Sequence, residues 1–226
     1  MVKKIYIAIF LIAILGVAIA YAVTLSTQPP QTPSETAVSG IKEGNVFTYS
    51  IQGLSTKFDE NATIPASFLE LNQTQYYRVI ITSVSGSEVS YNSTWRFTNG
   101  TELHQSGQIN VATGAGSPEF WAIYAANLTI NNLARPSRSD GVTVNDTETR
   151  TYKDGNRATN LLSMQTQFYD SSDPTYTKTY NDYMYVYFDK QTGMLVELRN
   201  IKLYNYPQLI LTIEWKLTDS NAWAIS

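Results

Sequence analysis

The chain has 226 residues, with 16 cationic and 19 acidic side chains, one histidine and no cysteine. Without thiols there are no disulfides, cysteine nucleophiles or cysteine-ligated metals, and a single imidazole excludes a His-rich metal centre or a pair of catalytic histidines. A formal charge of −3 argues against nucleic acid, because neutralising phosphates takes clustered Lys and Arg.

Met1-Val2-Lys3-Lys4 precedes an uncharged, almost wholly apolar run from Ile5 to Val23. At about 1.5 Å per residue such a helix reaches roughly 28 Å, enough to span a hydrocarbon core of about 30 Å. Lys3 and Lys4 are the only charges before Glu35. The positive-inside bias therefore keeps the N-terminus cytoplasmic and sends the rest of the chain outside. Two fates stay open. The run exceeds the usual apolar core of a signal peptide, about 7 to 15 residues, which favours retention as a single-pass anchor. Ala18-Ile19-Ala20 and Ala20-Tyr21-Ala22 are small-x-small patterns suited to a signal peptidase, and cleavage there leaves a secreted domain. Residues 1–24 are read as cytoplasmic start and membrane anchor, with the membrane met through residues 5–23. Residues 25–40, carrying Pro29, Pro30 and Pro33, read as a Pro/Ser/Thr-rich stalk that extends roughly 50 Å at about 3.1 Å per residue.

Residues 41–226 form the exterior domain, long enough for its own core. Removing Lys3 and Lys4 leaves the exterior part, stalk included, 14 cations against 19 anions, a net of −5. Its dominant pattern has period two, the mark of strands with one wet face. Tyr77, Val79 and Ile81 lie opposite Arg78 and Thr82, and Val89, Tyr91, Ser93, Trp95 and Phe97 opposite Glu88, Ser90, Asn92, Thr94 and Arg96. Ser85-Gly86-Ser87 joins these two runs as a tight hairpin, and Asn99-Gly100 predicts a type I′ turn into the next strand. Ser117 as N-cap, Pro118 and Glu119 lead into FWAIYAANL, which predicts one short helix packed on the sheet. Between Leu195 and Tyr204 the apolar phase slips from Val196 and Leu198 to Ile201 and Leu203, which predicts a bulge near Arg199-Asn200. The clearest strand is Leu209-Leu211-Ile213-Trp215-Leu217, opposite Thr212, Glu214, Lys216 and Thr218. The expected fold is mainly β: one curved, half-barrel-like antiparallel sheet with a short helix on it.

TRTYKDGNRATN (Thr149 to Asn160) and YVYFDKQTGMLVEL (Tyr185 to Leu198) resemble segments of uncharacterised archaeal membrane-anchored surface proteins. The Asp-Lys-x-Thr-Gly-x-Leu turn is also similar to a hairpin in lipoprotein-carrier folds of the LolA type, whose curved sheet cups a helix. That resemblance implies a carrier or sensor enclosing an apolar ligand such as a lipid, and it transfers no catalytic residues. Where the resembled chains have Asn-Leu-x-x-Gly-Asp, this one reads Asn127-Leu128-Thr129-Ile130-Asn131-Asn132, which leaves the turn geometry there open.

Chemistry-bearing patterns are sparse. His104 reads as ordinary surface, with no nucleophile elbow near it. Asp170, Asp173 and Asp154 lack the spacing of a calcium loop, and no feature selects a carboxylate pair for glycoside cleavage. No catalytic residue, metal or cofactor is expected. Tyrosine is the informative excess: Tyr183, Tyr185 and Tyr187 share one face of a strand whose other face carries Met184, Val186 and Phe188. They read either as a packed aromatic ladder or as an exposed platform for a protein, glycan or lipid partner. Six Asn-x-Ser/Thr sequons, at Asn61, Asn72, Asn92, Asn99, Asn127 and Asn145, are candidate N-glycosylation sites, against about three expected by chance in so Asn-, Ser- and Thr-rich a chain.

The expected function is therefore a membrane-anchored, non-enzymatic surface module at the cell envelope. The alternatives are the apolar-ligand carrier and, third, a carboxylate-dependent extracellular hydrolase. Oligomeric state is left open.

Overall fold

A computed structural model of the chain describes residues 37–116, 122–138, 140–169 and 178–225. The membrane segment, most of the stalk, the N-terminal part of the expected helix, and Asp170 and Asp173 lie outside the described residues. Ten strands follow one another: β1 (Val46–Lys57), β2 (Thr74–Ser85), β3 (Glu88–Phe97), β4 (Glu102–Asn110), β5 (Ala115–Gly116), β6 (Asp146–Tyr152), β7 (Gly155–Tyr169), β8 (Thr179–Asp189), β9 (Leu195–Tyr204) and β10 (Leu209–Ser220). All pair antiparallel in one open sheet of order β5-β4-β3-β2-β1-β10-β9-β8-β7-β6. Two five-strand meanders are thus joined where β1 meets β10.

The alternation predicted for β2, β3 and β10 holds. Tyr77, Val79, Ile81, Val89, Tyr91, Trp95, Phe97, Leu211, Ile213, Trp215 and Leu217 are all buried. They share a core face with Phe47, Tyr49 and Ile51 of β1. Trp215 joins an aromatic cluster there, with ring centroids 5.0 Å from Tyr77 and 6.1 Å from Trp95. Loop residues Val111, Ala122–Ala125, Ala134 and Val144 join the same core.

Three local expectations are corrected. Residues 122–128 are not helical: Ile123 makes an antiparallel bridge to Met194, and Tyr124 stacks on Phe188 at 4.6 Å. An apolar run with no wet side suits a buried extended segment as well as a buried helix, and here the pairing with Met194 decides. Among the described residues the short helix is α1 (Ala66–Glu70), entered from Pro65 and continued by a 3-10 turn, Leu71–Gln73. It lays Phe68 over Gly53, where a Cβ would come within 2.9 Å of the ring. The Asn99-Gly100 turn is not type I′, because only Gly100 has positive φ, at 81°. Gly100 N–H donates to the Phe97 carbonyl and Phe97 N–H to the Thr101 carbonyl, the pattern of a three-residue loop with glycine in the left-handed position.

The third correction concerns β9. Its pairing with β10 is unbroken from Glu197 to Tyr204, so no bulge lies at Arg199-Asn200. The irregularity falls earlier, where Tyr187 pairs with Glu197 but Phe188 with Leu195. The apolar pattern slips and the backbone does not. Ile201 and Leu203 consequently point away from the core, while Asn200, 2% exposed, and Lys202 take the core side.

Candidate binding face

The face of β7–β10 opposite the core is a regular grid. Tyr187, Tyr185, Tyr183 and Asn181 of β8 pair with Glu197, Arg199, Ile201 and Leu203 of β9. These pair in turn with Lys216, Glu214, Thr212 and Ile210 of β10. The next column is Ser50, Gln52, Leu54 and Thr56 of β1. The three predicted tyrosines are therefore together on one outer face, each half-exposed.

Charges of alternating sign cross the upper rows. Glu148 pairs with Arg150 at 2.6 Å and Arg150 with Glu197 at 2.9 Å. Arg199 lies 3.6 Å from Glu197 and 3.1 Å from Glu214, and Gln52 donates to Glu214 at 2.9 Å. Burial works against the Arg150 charge, but its hydrogen bonds to Glu148 and Glu197 outweigh that and raise its pKa. The guanidinium also sits 4.3 Å above the Tyr187 ring. Burial pushes the Tyr187 phenol up, with Glu148 and Glu197 adding to it. Tyr187 is thus half engaged within the chain. Tyr183 accepts a long 3.4 Å bond from Gln165.

Below the charges the surface turns apolar. Tyr183, Ile201, Leu203 and Ile210 are half-exposed and Leu54 is 49% exposed; Tyr183, Ile201 and Leu54 share one row with Thr212, and Leu203 and Ile210 share the next with Asn181 and Thr56. Two of these residues, Ile201 and Leu203, read from the sequence as core. The signal that separates them is their polar neighbours: Asn200 and Lys202 take the inside positions. There, Asn200 donates to an Asp182 oxygen and Lys202 Nζ approaches the other at 3.5 Å. The Asn200 Oδ1 atom is buried with no hydrogen-bond partner. Beside this island Phe168, Tyr180 and Tyr204 stack across three strands, with centroids 4.7 and 4.9 Å apart. Burial first, then Tyr204 and Asp182, push the Tyr180 phenol up to about 12.

The six sequon asparagines are all exposed. Asn92 lies on the outer face of β3, where its Oδ1 accepts from Ser106, and Asn99 is in the β3–β4 loop. Asn127 adopts φ 59°. Asn145 Oδ1 accepts the Ser163 N–H at 2.6 Å. Asn72 mimics a missing strand, accepting from Gly53 N at 2.8 Å and donating to Gly53 O at 2.9 Å, where β1 has parted from β2. Asn61 donates its own N–H to Asp59.

The resembled turn has a mechanical role. Asp189, fully buried, receives Arg157 through two bonds at 2.7 and 2.9 Å and the Thr192 N–H and O–H at 2.8 Å each. Gly193 takes φ 75°, and a Cβ there would lie 2.0 Å from the Tyr124 carbonyl oxygen. Asn131, in place of the glycine of the resembled pattern, adopts φ 71°, a left-handed conformation that asparagine tolerates. Asp154 accepts the Ala224 N–H at 2.7 Å, fastening the C-terminal segment. His104 is surface-exposed between Glu102 and Thr94. Among the described residues no group of three His, Asp or Glu side chains is placed to hold a metal, and no helix is long and apolar enough to cross a membrane. The chain matches no protein-family model, and no relative is found among curated proteins.

Proposed function

We propose that this chain is a membrane-tethered exterior module that works by non-covalent binding through the outer face of β8–β10. The observation that carries the reading is the half-exposed row Tyr183, Tyr185 and Tyr187, continued by Ile201 and Leu203, on a face that the core does not use. Tyrosine supplies broad apolar contact with a polar tip and little entropy to lose, which suits a recognition surface. The apolar, lysine-led N-terminus supports the exterior location, and the exposure of all six sequons is compatible with glycans there.

Two measurements test this. A single cysteine introduced at exposed Leu54, in a chain that otherwise has none, is expected to react with a membrane-impermeant maleimide on intact cells; labelling only after lysis overturns the exterior placement. Native mass spectrometry of the membrane-extracted chain, beside Tyr185→Ser, reads binding, and intact mass reads glycosylation. A bound mass lost from a variant that melts with the parent supports the face. A bound mass unchanged by the substitution, or a variant that unfolds, refutes it.

A second reading is the carrier of an apolar ligand held on the core side of a half-barrel, as in LolA-like folds. The unpartnered Asn200 Oδ1 beside Met184 and the Phe168-Tyr180-Tyr204 stack favours it. A bound lipid that survives Tyr185→Ser and is lost on Asn200→Leu would select this reading.

A further inference from the structure

Residues 200–203 of β9 are inside out. An amide and an ammonium occupy the core side, and two aliphatic side chains occupy the solvent side, although exchanging the pattern would place each group in its preferred medium. A strand that accepts this cost has a use for its outer face. Ile201 and Leu203 do not stand alone there: register sets Tyr183 and Ile210 beside them and Leu54 one strand further on.

We infer that this patch joins two copies of the chain, sheet face on sheet face. The inference rests on the outer face being a binding face, and three observations select a second copy as the occupant. The first is geometric. An antiparallel sheet face bearing aliphatic and aromatic side chains is the surface that packs against another such face at about 10 Å, and an isologous pair needs only one patch. The second is electrostatic. The rim above the patch, Glu148, Arg150, Glu197, Arg199 and Glu214 with Lys216 facing Glu197, carries three charges of each sign, so it selects no oppositely charged partner and meets its own duplicate without a strong field. An acidic chain, pI about 5.2, also has no attraction to an anionic lipid surface. The third is the sequon map. All six sequons fall between residues 61 and 145, and one of them, Asn92, lies on the outer face of β3. None lies on a strand from β6 to β10: Asn145 flanks β6 and bonds β7 toward the sheet's far edge, and Asn127 meets the β8–β9 turn at Lys190, so no sequon falls within the patch.

The absence of cysteine makes the test direct. Full-length chain carrying Leu203→Cys is treated in its membrane with a short bis-maleimide, beside Ile80→Cys, which sits 39% exposed on β2 at an outward position paired with Asn92. Covalent dimer is expected several-fold more abundantly from Leu203→Cys, and adding Ile201→Lys is expected to bring it down to the Ile80→Cys level with the thermal midpoint retained. Equal cross-linking at both positions, which proximity through the anchor alone would produce, overturns the proposal. So does absence of cross-linking at Leu203, or cross-linking indifferent to Ile201→Lys. Leu54→Cys, already exposed, serves in place of Leu203→Cys should that variant not fold. If cross-linking fails while Tyr185→Ser still removes a bound mass, the face binds something other than a second copy, and only the present inference falls.

Discussion

Asp189→Ala is the substitution from which the fold has most to lose for its size. The carboxylate is fully buried and accepts four hydrogen bonds, two from Arg157 and two from Thr192. Removing it strands the Arg157 guanidinium, whose side chain is 19% exposed, beneath Trp223, 4.5 Å from the ring centroid. Breaking a buried pair from one side costs about 3–5 kcal/mol, because the remaining charge keeps its desolvation penalty. That is a large share of the roughly 5–15 kcal/mol that holds a typical domain together. With a urea m-value of about 2 kcal/mol/M, the midpoint should fall by about 1.5–2.5 M. Asp189→Asn keeps an acceptor for Thr192 and should cost less. A double-mutant cycle with Arg157→Met should return a coupling above about 1 kcal/mol. A midpoint for Asp189→Ala within about 0.5 M of the parent would refute the claim that this turn is held by its carboxylate.

Trp223→Ala should destabilise by about 3–5 kcal/mol in the same assay, since the ring, 5% exposed, packs against Phe47 and Tyr152. Asn72→Asp keeps the acceptor for Gly53 N–H but sets a second anionic oxygen against the Gly53 carbonyl. It should cost about 1–3 kcal/mol and, where the sequon is used, lower the intact mass by one glycan. Tyr180 holds its proton up to about 12 in the folded domain, against about 10 in an unfolded chain. Its contribution to stability is therefore whole below pH about 10 and lost as pH climbs through the folded value. Denaturation midpoints measured between pH 9 and 12 should fall for the parent, and fall less for Tyr180→Phe. Equal slopes would remove Tyr180 from the account.

The strands were legible wherever one face is wet. In β10, Leu209 to Leu217 alternate in the structure as they do in the sequence, because burial on one side leaves a period-two trace. Two regions escaped for opposite reasons. The 122–126 segment is apolar throughout, so periodicity carried no information, and a partner some seventy residues away, Met194, decided its conformation. In β9 periodicity carried information that the rule “apolar means inside” misread: Ile201 and Leu203 kept the strand's phase and went outside. The tyrosine row was placed correctly on one face, but the sequence could not distinguish the core side from the outer side, since both are aromatic or aliphatic. Val186 and Phe188 took the core, in register with buried Leu162 and Leu195, and Met184 packs against it. The Asp-Lys-x-Thr-Gly turn was visible as a reversal. Its bond to Arg157, from another hairpin, was not.

The seam between β1 and β10 also orders events in time. Each meander can zip from its own hairpins, but Phe47 waits for Ser220, and so long a loop closes slowly. Until the tenth strand arrives, Phe47, Tyr49 and Ile51 stand beside an unpaired backbone edge, the kind of surface that invites aggregation or proteolysis. A chain cut short anywhere before β10 therefore exposes its fault at the middle of the sheet, and only a chain complete through that strand conceals it. The last strand made is in this sense the proofreader of the first.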